Sequence, residues 1–67
     1  MLAALVIPIE GQWPTFRVWI YDLDKPRATK SPDPQHWYTP VRCEGTYSNR
    51  RAAEEVKKRF SPLSRPD

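Results

Sequence analysis

Proline placement constrains this chain more than any other feature. Eight prolines stand among its 67 residues, about twice the average usage. A helix interior loses a hydrogen bond and takes a steric clash at each one, which argues against an all-helical bundle. A sheet accepts proline only at edges, strand ends and bulges, so Pro8, Pro14 and Pro40 also help to order the strands. The chain has the length of one small domain. Such a domain buries only ~60% of the surface its unfolded form exposes. Little room is left for a walled site of the usual ~300–1,000 Å³.

Hydrophobic patterning supplies the elements. Leu2–Ile9 predicts a strand that is apolar on both alternating faces, with Leu5, Ile7 and Ile9 on one side and Leu2, Ala4, Val6 and Pro8 on the other. Glu10–Pro14 is a turn. Thr15–Leu23 predicts the clearest strand, with Phe16, Val18 and Ile20 alternating against Arg17, Trp19 and Tyr21. The Pro-rich segment 24–35, DKPRATKSPDPQ, reads as a loop of the length that is often functional or disordered. His36–Thr46 predicts a third strand, with Val41 and Cys43 on one face and Tyr38, Arg42 and Glu44 on the other, and Gly45 lets the chain leave the sheet. Asn49–Phe60 predicts the only helix, capped by Ser48 or Asn49. Ala52, Ala53, Val56 and Phe60 form its apolar stripe. Ser61-Pro62 ends it. The chain therefore reads as one domain over residues 1–60 with a disordered tail at 61–67.

Because Pro8 and Pro40 belong at sheet edges, the proline-free strand belongs in the middle. The expected fold is α+β: a three-stranded antiparallel meander with one C-terminal helix on one face, βββα. The helix is expected to cover Leu5, Ile7, Phe16, Val18, Ile20, Val41 and Cys43. The other face would then carry Val6, Arg17, Trp19, Tyr21, Tyr38, Arg42 and Glu44. Trp, Tyr and Arg are the residue types most enriched in binding hot spots, and a contiguous apolar patch marks an interaction site. The alternative is that the 24–35 loop, the tail or Trp13 folds back over these rings and makes a minor second core.

Charge adds a weaker signal. The net charge is +3, and all of it falls in residues 34–67, which favours an acidic partner or nucleic acid. Arg50 and Arg51 lie in the first helical turn, where cations oppose the macrodipole, as if they contact something else. A ladder of i,i+4 pairs such as Arg50–Glu54 explains them equally well as a solvated face.

Several chemistries lack their residues. Cys43 is the only cysteine, so no internal disulfide forms, a reducing compartment is expected, and the residue reads as a small buried hydrophobe. His36 is the only histidine. With Cys43 it makes too few ligands for zinc, and no Ser-His-Asp set is available. Asp22 and Asp24 read as turn formers. With Gly11 and Gly45 the only glycines, no phosphate loop exists. The apolar run Leu2–Ile9 is too short for a membrane span and lacks a signal-peptide layout.

The strand order and the run EGTYSNRRAAEEVKKRF resemble two DNA-binding families in outline over Phe16–Phe60. They are the plant AP2-type domains and the arm-binding domains of tyrosine integrases. The resemblance implies DNA reading through the open sheet face, with Arg17, Trp19 and Arg42 at the matching positions. The Arg-Gly-Val and Trp-Leu-Gly runs of the AP2 family are absent.

The sequence thus predicts a cytoplasmic, non-enzymatic protein-binding module, whether regulator, adaptor or inhibitor. It would have no cofactor, metal or membrane contact, and it would bind a larger protein or a second copy of itself. The expected contact residues are Arg17, Trp19, Tyr21, Tyr38, Arg42, Arg50 and Arg51. The alternative is a nucleic-acid-binding domain that uses the same face and the basic helix start.

Overall fold

A computed structural model of the chain describes residues 1–12 and 14–65. It holds β1 (Leu2–Pro8), β2 (Phe16–Pro26), a 3-10 turn (Pro34–His36), β3 (Tyr38–Tyr47) and α1 (Arg50–Lys57). The strands make one antiparallel sheet in the order β1-β2-β3, so the fold is the βββα α+β meander that the prolines and the apolar patterning predict. Pro8 closes β1 and Pro40 lies in an outer strand, where a missing ladder donor costs least.

The core lies between the sheet and α1. Phe16, Val18 and Ile20 of β2 meet Ala53 and Val56 of the helix, and Ala4 joins them from β1. Leu2, Val6, Tyr47 and Phe60 pack around this centre. Two expectations about the core face are corrected by this packing. The β1 residues under the helix are Leu2, Ala4 and Val6, not Leu5 and Ile7. The cause is register: Val6 lies opposite Val18 and Ala4 opposite Ile20, whereas Leu5 faces Trp19 and Ile7 faces Arg17.

The second correction concerns β3. Val41 is 49% exposed and Cys43 is an exposed thiol, so neither sits in the core. The β2–β3 register shifts between Val18 and Trp19 and again between Ile20 and Tyr21. Glu44 and Val41 are the extra residues at these bulges, and each one resets which side the following residue faces. Arg42 is thereby placed opposite Ile20 and Cys43 opposite Trp19. Gly45 does not end the strand either. It lies opposite Val18, and a Cβ there would come within 2.9 Å of the Tyr47 hydroxyl. Its missing side chain makes room for the tyrosine that packs on the core.

The helix begins where Asn49 accepts a hydrogen bond from the Ala52 amide at 2.8 Å, satisfying one orphan donor of the first turn. Its regular part stops at Lys57, and Phe60 reaches the core from a following turn in which its amide donates to the Lys57 carbonyl. Arg50 and Glu54 approach to 3.9 Å, and Lys58 and Glu55 to 3.3 Å, all on the solvated side.

The backbone of β1 has two distinct edges. The Met1 carbonyl accepts from Leu23 and the Ile9 amide donates to Thr15, so odd-numbered residues turn their backbone groups toward β2 and even-numbered ones turn away. Of the latter, the Leu2 carbonyl accepts from the Ser61 amide at 3.0 Å. The Ser64 carbonyl accepts from the Tyr38 hydroxyl at 2.7 Å. Residues 61–65 therefore meet the sheet at both outer strands, while Pro66 and Asp67 of the expected tail lie outside the described residues. Among the described residues no helix is long and apolar enough to cross a membrane.

Candidate partner-binding face

The sheet face away from α1 is built by cross-strand neighbours: Ile7 with Arg17, Leu5 with Trp19, and Ala3 with Tyr21. Tyr21 also lies opposite Pro40. The loop after β2 comes back over part of this face. Its ends are held by the Arg27 amide donating to the Trp37 carbonyl at 2.9 Å and the Thr39 hydroxyl donating to the Lys25 carbonyl at 3.1 Å.

The loop is ordered by short-range polar bonds in place of apolar packing. Asp33 caps the 3-10 turn by accepting from the Gln35 amide at 3.0 Å, with Pro34 just inside. The Ser31 hydroxyl accepts from the Asp33 amide at 3.1 Å and lies 3.0 Å from His36 Nδ1. The Trp37 indole N–H donates to the Ser31 carbonyl at 2.9 Å. These are the local side-chain turns that Ser and Asp favour. They carry no hydrophobic period, so patterning alone read the segment as a plain loop.

The result is a face that is covered at one end and open at the other. Ala3 is 0% and Tyr21 4% exposed although no helix lies over them, and Trp19 is half-buried. Between them an open hollow of about 380 Å³ remains. Ile7, Arg17, Trp19, Tyr21 and Pro40 form its floor, Gln35 and His36 one wall, and Pro8 and Ile9 its far end. A smaller depression of about 140 Å³ separates Leu5, Ile7 and Pro8 from Asp33 and Pro34. Both open readings of this face therefore have a share: the loop covers part of it, and the indole of Trp19 is not sealed. Trp13 lies outside the described residues.

The residues expected to act together are divided. Arg17, Trp19 and Tyr21 line the hollow. Tyr38 is buried and its hydroxyl is turned to Ser64. Arg42 shares the register position of Ile20, and its Nε donates to a Glu44 carboxylate oxygen at 3.0 Å. Arg50 and Arg51 open the helix on the opposite side of the sheet, and the Arg50 guanidinium stacks 4.9 Å from the centre of the Phe16 ring. Cation–ring contact thus gives Arg50 a structural partner. Sequence reasoning missed Ile7, Pro40, Gln35 and His36 as members of the hollow. Gln35 and His36 arrive only because the loop turns back.

Among the described residues, Arg17 and Tyr21 stand in this hollow without a side-chain hydrogen bond or ion pair. Among the described residues no carboxylate pairs with Arg17, and it is exposed. Among the described residues the Tyr21 phenol makes no hydrogen bond, and it is not an orphaned buried atom, so its oxygen keeps some contact with solvent. Burial of the ring, and secondarily the negative charge of Asp33, push the Tyr21 hydroxyl above its ordinary value of 10.0.

That shift has a consequence for stability. Below the ordinary value the folded and unfolded chains both keep the proton, and the contribution is intact. As pH rises the unfolded chain ionises first, so stability is lost through the folded-state value. Urea midpoints are expected to fall from about pH 9 to about pH 11, and to fall less steeply in Tyr21→Phe. An equal slope in both proteins would contradict the burial of this ring.

Among the described residues no three His, Cys, Asp or Glu side chains gather as metal ligands. The chain matches no protein-family model, no curated protein and no solved structure.

Proposed function

We propose that this chain is a non-enzymatic protein-binding module whose contact surface is the hollow on the helix-free sheet face. The supporting observation is the Trp19 indole, left half-buried between Arg17 and Tyr21 on the central strand. Burying the rest of a large aromatic ring yields up to ~1.5–3 kcal/mol, and Trp flanked by Arg and Tyr is the composition of binding hot spots. A small domain of this kind suits stoichiometric binding to a larger protein as a regulator, adaptor or inhibitor. An exposed free thiol at Cys43 suits a reducing compartment such as the cytoplasm.

The competing nucleic-acid reading calls for basic groups on one surface. Arg17 and Arg50 lie on opposite sides of the sheet, and Arg42 is neutralised by Glu44, which favours the protein partner.

The test is affinity purification of tagged wild-type and Trp19→Ala chains from the native cells, with nuclease treatment and mass spectrometry. A partner is expected with the wild type and lost with the variant. Truncating a hot spot costs ~2 kcal/mol or more, about thirtyfold in affinity. Equal recovery by a folded Trp19→Ala chain would refute the assignment. Retention on DNA that weakens with a log–log salt slope of about −0.9 per phosphate would replace it with the nucleic-acid reading.

A further inference from the structure

On the protein-binding reading, on which it rests, the chemistry of the partner is set by the residues of this same hollow. Arg17, Trp19 and Tyr21 are alternate residues of β2 on one face, and the β1–β2 ladder beneath them runs without a register shift from Leu2 to Pro8. A strand advances ~3.3 Å per residue, so the backbone positions of Arg17 and Tyr21 are about 13 Å apart with the indole between them. A cationic residue, Arg17, therefore stands at one end of an apolar floor and a tyrosine, Tyr21, at the other.

Among the described residues no acidic side chain lines this hollow. Asp33 spends a carboxylate oxygen on the Gln35 amide and borders the smaller depression instead, and the exposed Glu10 follows Ile9 at the far end. Tyr21 holds its proton at neutral pH and acts as a donor. The site thus offers the Arg17 and Tyr21 donors and no acidic residue in its lining, with Ile7, Pro40 and Trp19 supplying apolar contact.

We infer that the hollow binds an extended peptide segment of a partner protein that carries a carboxylate within about four residues of an apolar side chain. The carboxylate pairs with the Arg17 guanidinium, for which a bidentate fork is the matching geometry. The apolar side chain lies on Trp19, and a backbone carbonyl farther along accepts from Tyr21. An extended chain is favoured over a small apolar acid because the hollow is an open trough, whereas small-molecule sites enclose most of their ligand. The carboxylate is supplied either by Asp or Glu or by a free C-terminus.

The test pans phage-displayed random nonapeptides, in internal and free C-terminal formats, against the full chain. Enriched sequences are resynthesised with a fluorophore for anisotropy titration. Enriched peptides are expected to share an acidic group near an apolar residue. Asp→Asn or Glu→Gln in an internal peptide, or amidation of a terminal one, is expected to weaken binding about tenfold or more, and the format that wins identifies the source of the carboxylate. Arg17→Gln is expected to produce the same loss for acidic peptides and none for their neutral versions. Tyr21→Phe, with its fold checked by circular dichroism, is expected to produce a smaller one.

Enriched peptides without a carboxylate, or neutral versions that bind as tightly, overturn this inference and leave the docking face standing. Peptides that bind Trp19→Ala as well as wild type overturn both. Displacement of the peptide by a DNA duplex with a steep salt slope overturns the choice of a protein segment.

Discussion

Phe16→Ala is expected to leave the chain largely unfolded at room temperature. Phe16 is 2% exposed and is the largest fully buried side chain among the described residues, in the core between β2 and α1. Deleting a buried phenyl ring costs ~3–5 kcal/mol, the lost transfer energy plus the cavity left behind. A core of this size rarely supplies more than ~3–5 kcal/mol in total, so one substitution removes most of the margin. The guanidinium of Arg50, now stacked on the ring, loses its partner as well, a further ~0.5–1 kcal/mol at an exposed site. Loss of amide dispersion in a proton–nitrogen correlation spectrum reads the outcome directly. Phe16→Leu keeps most of the volume and is expected to fold with a lowered urea midpoint. A cooperative transition at the wild-type midpoint in Phe16→Ala would show that the core lies elsewhere.

The opposite change is expected to be harmful at Ala53. That residue is 0% exposed in the middle of α1, over Val18 and Ile20, and its small side chain sets how near the helix lies to the sheet. Ala53→Leu adds three carbons where no space exists, which costs ~1–3 kcal/mol in strain. Leucine and alanine are both strong helix formers, so a loss of stability reports packing and not helix formation. Glu55→Leu supplies the control on the exposed side of the same helix and is expected to stay within ~0.5 kcal/mol of wild type. Similar losses at both positions would contradict the docking of α1 through Ala53.

The parts of this architecture that the sequence made legible are those where one face alone is apolar. In β2, Phe16, Val18 and Ile20 alternate with polar or amphipathic residues, so its inward side was fixed by pattern. The helix announced itself through Asn49 and the spacing of Ala53, Val56 and Phe60. Strand β1 carries apolar residues on both sides, and both are covered in part: Ala4 by the helix, Ala3 on the other face. Alternation cannot choose between two buried faces, and the register with β2 makes the choice. In β3 the bulges at Val41 and Glu44 break the period of two, so Cys43 and Arg42 each face the side opposite to the expected one. At the candidate site, Arg17, Trp19 and Tyr21 were legible because they share the period of β2. Gln35 and His36 were not, since polar turns centred on Ser31 and Asp33 bring them in.

The irregular outer strand has a further bearing on how this molecule behaves when concentrated. A flat three-stranded sheet invites another chain to add at its rim and, repeated, to polymerise. Here the rim formed by β3 is kinked twice and interrupted by Pro40. On the other side, Ser61 occupies Leu2, and Pro8 brings no amide to share. The β3 border is thus no straight template, and the β1 border is blocked at its two ends, which limits edge-to-edge addition while the aromatic rings of the face stay accessible.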